Sequence, residues 1–264
     1  MRASQKILLI ILFFSSSLWA MDVEEIVKKA NHQAHYRGDS GRAHVDMTIK
    51  DNQGRERSRK LTILRLDKDE DGVDGRQKFY IYFKRPKDIR KMAFLVWKKI
   101  GKDDDRWLYI PSLDLIKRIA GSDKRTSFVG SDFFYEDVSG RGIKEDKHEL
   151  LETTEEYYVL KNTPKKPQDV EFSYYKVWVH KESFIPVKTE YYKDKSDKPY
   201  RIYEVEKVSN IQGIPTVIQS SMKSVEKGSK STLNYSKVEY NVELDEDIFT
   251  ERYLRKPPRK QLRF

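Results

Sequence analysis

RWLYIPSLDLIKRIAGSDKRTSFVGSDFFYEDVSG, residues 106–140, holds the densest mix of aromatics, glycines and turn residues in the chain. Trp107 to Ile110 reads as a strand that meets Pro111 and the turn SLD. Leu115 to Ala120 then returns as its hairpin partner. After Ala120 the alternation stops. From Gly121 to Gly140 the apolar residues Phe128, Val129, Phe133, Phe134, Tyr135 and Val138 stand among Gly, Ser and Asp, a pattern that suits neither a regular strand nor a long helix. A loop this apolar covers something greasy, either its own core or a ligand.

Strands run outward from this stretch in both directions. Before it come Arg42–Lys50, Arg55–Leu66, Arg76–Phe83 and Met92–Lys99. After it come Lys147–Leu151 and Tyr157–Lys161, both weaker, then Tyr174–His180, Pro186–Tyr192, Tyr200–Val208, Thr216–Ser224 and Ser231–Tyr240. Hairpin-length connections between about a dozen strands predict one long, strongly curled antiparallel sheet in a mainly β (α+β) fold. Asp22–Arg37 spaces Val23, Ile26, Val27, Ala30 and Ala34 as an amphipathic helix, with Asp22 as N-cap and Gly38 as stop. Asp245–Tyr253 reads as a short helix before the basic tail RKPPRK. The strands of the first half carry large apolar residues at both parities, as in Phe79 to Phe83 and Phe94 to Trp97, so both faces there should be covered. Later strands alternate better: Tyr175, Val177 and Val179 stand against Lys176, Trp178 and His180.

The first 20 residues, MRASQKILLIILFFSSSLWA, carry Arg2 and Lys6, an apolar run from Ile7 to Phe14 and small residues before Ala20. That is the pattern of a secretory signal peptide cleaved after Ala20, leaving residues 21–264 as one domain. The run is shorter than the roughly 18 apolar residues of a membrane helix. There is no cysteine, so stability rests on burial rather than on disulfides, and no lipid can be attached through an N-terminal cysteine. Lysine and arginine number 52 against 42 acidic residues. In an exported protein this basic balance points to anionic lipid, a membrane surface or an acidic protein face rather than to nucleic acid, or simply to solubility.

Chemistry-bearing motifs are sparse. Asp67, Asp69, Asp71 and Gly72 open like a calcium-binding loop, but the twelfth position, which needs a bidentate carboxylate, is Lys78, and the flanks read as strands. His32 and His35 share a helix face without any H-E-x-x-H pattern, and no G-x-S-x-G elbow occurs. These absences predict no metal, no cofactor and no catalytic nucleophile. The triplet Gly-Ser-Asp occurs at 121–123 and again at 130–132. Its plain reading is two tight turns; its functional reading is a lid clip, with Ser122, Lys124, Arg125 and Ser131 holding a phosphate or lipid head group.

The segments RPKDIRKMAFLVW, DDDRWLYIPSLDLIKRI and GSDKRTSFVGSDFFYEDVSG resemble the LolA-like outer membrane lipoprotein-sorting proteins, in the branch associated with RND-type exporters. VWVHKESFIPVKTEYY, IQGIPTVIQSSMK and LDEDIFTERYL are similar to the same family's C-terminal half, so the resemblance covers nearly the whole chain beyond residue 20. It implies an incomplete β-barrel whose concave face holds an apolar cavity under a lid of helix and loop, with Ile26 and Val27 of the first helix over that cavity. Strand parity adds Trp107 and Tyr109 as its wall, with Trp97, Phe128, Phe133 and Phe134 near its mouth. The function implied is a periplasmic carrier or chaperone that takes lipid or lipid-modified protein toward the outer membrane, with transient membrane contact and an RND-type inner-membrane transporter as partner. The rivals are a hydrophobic-ligand sensor serving such an exporter and an exported hydrolase acting through unrecognised carboxylates.

Overall fold

The computed structural model describes residues 21–67, 75–194 and 196–263. The signal-peptide segment and Asp69, Asp71 and Gly72 of the acidic loop lie outside the described residues. Helix α1 (Val23–His35) comes first, followed by β1 (Ser40–Lys50), β2 (Glu56–Asp67), β3 (Gln77–Arg85), β4 (Ala93–Trp97), β5 (Asp105–Ile110) and β6 (Leu115–Arg118). Residues 119–145 then form an irregular segment containing the short helix α2 (Tyr135–Ser139). The second half comprises β7 (Asp146–Thr153), β8 (Tyr157–Pro164), β9 (Tyr174–His180), β10 (Pro186–Tyr192), β11 (Arg201–Ile211), β12 (Ile214–Ser224) and β13 (Ser229–Tyr240), then α3 (Glu251–Arg255).

All thirteen strands join one antiparallel sheet, in the order β6-β5-β4-β3-β2-β1-β13-β12-β11-β10-β9-β8-β7. The sheet is curved and does not close. Two meanders run away from a central seam, where β1 pairs with β13 from Gly41 opposite Tyr240 to Lys50 opposite Lys230. The outer edges are β6 and β7, consecutive in sequence, so the segment 119–145 must cross from one edge to the other. It does so over the concave face. Topology thus turns the irregular stretch into a strap across an open barrel.

The two faces are covered by different parts of the chain. On the concave side of β1–β5, Val45, Met47, Leu61, Phe79, Ile81, Phe83, Phe94 and Leu108 pack with Phe128, Phe133 and Tyr135 of the strap. On the convex side, Leu64, Tyr80, Leu95 and Trp107 pack beneath Ile248, Phe249, Leu254 and Leu262. That is why β3 and β4 carry apolar residues at both parities. The predicted helix over Asp245–Tyr253 is divided in two: a 3-10 turn over Glu246–Ile248, then α3. Thr250 between them adopts extended angles, which lets Phe249 turn down into the sheet. The basic tail is not free. The backbone carbonyls of Gln261 and Arg263 accept from Arg42, that of Leu262 accepts from Lys84, and Leu262 itself is buried.

Candidate functional site

Between the strap, α1 and the inner faces of β8–β13 lies a hollow of about 510 Å³, within the range of roughly 300–1,000 Å³ usual for small-molecule sites. One wall is helical. Val27, Ala30, Asn31 and Ala34 follow the i, i+3, i+4, i+7 rule and form the stripe of α1 that faces the space. The opposite wall is the alternating face of the later strands: Leu160, Val177 and Val179, with Tyr191, Tyr203, Met222, Leu233 and Tyr235. Burial pushes the Tyr191 hydroxyl up to about 12. Small side chains on α1 face the sheet across this space, and it is left unfilled.

The strap is held by charge. Glu136 of α2 is buried between Lys124 (3.3 Å), Arg125 and Arg141 (3.7 Å). Burial alone would raise its carboxyl, but the cations of Arg125, Lys124 and Arg141 outweigh this and hold it below the ordinary value. Arg125 also reaches Glu171 at 2.6 Å, and Tyr200 donates to the same carboxylate at 2.7 Å. Burial would raise the Glu171 carboxyl too, yet these partners bring it down to about 2. Asp137 pairs with Arg201, whose guanidinium lies 3.8 Å from the centre of the Phe134 ring. Asp132 accepts from the hydroxyls of Ser229 and Ser231 and fixes the second Gly-Ser-Asp turn to β13. The strap ends at Gly140, where φ is +73° and an added Cβ would lie 2.6 Å from Nε2 of His35. Only glycine suits that joint between strap and helix.

Among the residues predicted from sequence, Val27, Phe128 and Phe133 border the hollow. Ile26 is fully buried one position around α1, in the cluster with Leu160 and Val179 that seats the helix. Phe134 points the other way, between Arg201 and Arg125. Trp97, Trp107 and Tyr109 are a correction: they lie on the convex face. Trp97 donates from Nε1 to the Phe249 carbonyl at 2.7 Å and packs 4.9 Å from Trp107, while Tyr109 sits beside Arg255. Both parities of these strands are apolar, and the segment covering each face comes from far away in sequence. Ser122, Lys124, Arg125 and Ser131 do not form a free anion site. Lys124 and Arg125 are neutralised by carboxylates, Ser131 donates to the Phe128 carbonyl at 2.7 Å, and Ser122 is exposed.

The residues sequence reasoning missed are Asn31 and the walls on β10–β13. The helical stripe and the alternation of Tyr175, Val177 and Val179 were the available signals. Among the described residues no group of His, Cys, Asp or Glu is arranged to hold a metal ion.

A family model described only as an uncharacterized protein matches residues 75–256. A DUF1329 family protein from Desulfovibrio piger is similar at 27% identity, with a TM-score of 0.78, over 88% of this chain and 98% of that one. A putative outer membrane lipoprotein-sorting protein domain from Vibrio parahaemolyticus has 24% identity and a TM-score of 0.77, over 89% of this chain and 100% of that one. A LolA superfamily protein from Nitrosomonas europaea has 22% identity and a TM-score of 0.67, over 89% and 100%. No curated protein matches the chain.

Proposed function

The chain belongs to the LolA-like family, and on that premise we propose that it is a carrier that shelters the acyl part of a lipid or lipid-modified protein in the hollow beneath its strap. The observation that carries this reading is the hollow itself, about 510 Å³ left unfilled between α1 and the inner face of the sheet. Each methylene withdrawn from water contributes about 0.8 kcal/mol, so an acyl chain cannot cross an aqueous space without such an enclosure. Exchange needs an opening, and the strap, which lies over the concave face outside the strand ladder, can move without unfolding the sheet. In this reading residues 1–20 direct export to the periplasm, residues 21–264 act as one domain, and an RND-type inner-membrane transporter supplies or receives the cargo. No catalytic step is assigned. The acids bordering the hollow, Glu136, Asp137 and Glu239, are each engaged by an arginine.

The test is titration of the purified protein with a fluorescent acyl probe, followed by transfer of labelled lipid between donor and acceptor vesicles. Saturable binding with protein-dependent transfer is expected. Binding without transfer would favour the sensor reading, and no binding would remove the carrier reading altogether.

A further inference from the structure

Five arginines border the hollow: Arg37, Arg42, Arg65, Arg125 and Arg141. Four have clear structural duties. Arg42 pairs with Glu239, Arg65 with Asp67, Arg125 with Glu136 and Glu171, and Arg141 with Asp146. Arg37 forms no ion pair with any described residue, and its Nε is buried without a hydrogen-bond partner. It lies just beyond the C-terminal end of α1, where helix carbonyls would normally attract it. Those positions are taken, because Arg65 donates to the carbonyls of His35 (3.2 Å), Arg37 (2.6 Å) and Gly38. The helix end is thus already satisfied, and the Arg37 guanidinium remains available to something the protein lacks.

A second polar group in the hollow has the same property. Asn31 is 8% exposed, and its Nδ2 has no hydrogen-bond partner among the described residues. A buried amide donor left unpaired is costly, and few native groups are left so without a reason. Asn31 lies within α1, four residues before its last residue, and Arg37 lies two residues beyond that end. Around Arg37 the rim is polar as well. Gln33 donates to the Pro215 carbonyl at 2.7 Å, and the hydroxyls of Thr216 and Tyr240 are 3.0 Å apart. A side chain added at Gly38 would run into Tyr240, at 3.1 Å from its ring.

Resting on the carrier reading above, we propose that this end of the hollow selects a phosphate-bearing acyl lipid, with Arg37 holding the phosphate of its head group and Asn31 donating to an ester carbonyl deeper in. A planar guanidinium suits a phosphate, and the separation of the two donors suits a lipid whose charge and carbonyl are distinct groups. The acyl chain then lies along the Val27, Ala30 and Ala34 stripe, opposite Val177 and Met222. A free fatty acid, in which charge and carbonyl coincide, satisfies only one donor.

The experiment is displacement of a fluorescent acyl probe by short-chain phosphatidylglycerol, phosphatidylcholine and diacylglycerol. The wild-type protein is expected to prefer phosphatidylglycerol and phosphatidylcholine, which carry the phosphate, over diacylglycerol, which does not, by about tenfold. Arg37→Gln should bring that ratio near one, whereas Lys102→Gln, an exposed charge away from the hollow, should leave it unchanged. Asn31→Leu should erase any preference for ester-linked over ether-linked phosphatidylglycerol. Equal affinities in the wild type, or a preference that survives Arg37→Gln, overturns the proposal while leaving the carrier reading intact. If none of the three lipids displaces the probe and the probe itself does not bind, both fall. The wild-type ratio decides even if a variant does not fold.

Discussion

On the convex side of the sheet Leu95, Tyr80 and Trp107 lie flush beneath Phe249, Leu254 and Leu262. On the concave side Val177, Met222 and Leu233 look into empty space across from Ala30 and Ala34. Both faces are apolar, so the difference does not lie in residue type. It lies in how each cover is held. The C-terminal segment inserts Phe249, fully buried, and is held by packing. The strap packs Phe128, Phe133 and Tyr135 against β1–β5 and is otherwise tied at its margins, by Asp137 to Arg201, by Arg125 to Glu171 and by Asp132 to Ser229 and Ser231, while α1 turns its small residues toward the hollow. A cover fixed at its rim need not fill the space beneath it.

The contrast can be broken most forcefully on the packed side. Phe249→Ala should cost about 3–5 kcal/mol in chemical denaturation, with acyl-probe affinity of the folded fraction unchanged; a loss below 1 kcal/mol would mean that the convex cover is not held by packing. Next in size is Glu136→Ala, which leaves three cations around a vacated site. It should cost about 3 kcal/mol and speed amide exchange across 124–139, whereas unchanged exchange would show that the strap does not depend on this acid. A matched pair sharpens the comparison directly. Leu95→Phe, into a full core, should cost about 1–3 kcal/mol; Val177→Phe, into the hollow, should cost less than about 1 kcal/mol and weaken acyl-probe binding. Equal costs would mean that the hollow behaves as packed core.

The smallest effect should come from pH at the joint between α1 and the strap. Burial, and then the charges of Lys98 and Arg65, push the His35 imidazole from 6.5 down to about 3. A histidine kept neutral in the fold but protonated when unfolded contributes stability above pH 6.5 that is lost as pH falls toward 3. Glu171, held at about 2 against an ordinary 4.5, acts only below that ordinary value. Between pH 6.5 and 4.5 the stability of the wild type should therefore fall with acid more steeply than that of His35→Gln. Parallel curves in that window would remove His35 as the cause.

The strands themselves were legible. Each of the thirteen predicted from alternation and turn residues has a counterpart in the sheet, including the weaker pair that became β7 and β8, and α1 occupies Val23–His35 within the predicted Asp22–Arg37. The resemblance in RPKDIRKMAFLVW and GSDKRTSFVGSDFFYEDVSG led to the LolA-like family and its incomplete barrel. The site was legible only in part. Phe128 and Phe133 could be picked from an apolar loop that fits no regular element, because such residues must be covered. Trp97, Trp107 and Tyr109 were placed on the wrong face, because alternation separates two faces without saying which is concave. Arg37 and Asn31 carried no signal, since an unpaired donor cannot be recognised until all its possible partners are in place.

The sequence alone determined which segments extend, where they turn, that one half of the sheet is covered on both sides, and that the stretch 121–140 cannot be a strand. These follow from local periodicity and turn chemistry, which depend on neighbours a few residues away. Tertiary structure alone decided that β1 meets β13, that the strap crosses between the two free edges, and that α1 stands off from the sheet to leave a hollow. Those outcomes depend on contacts between residues 99 or more positions apart, such as Ser231 with Asp132 or Phe249 with Trp97. An empty volume is defined only by what surrounds it.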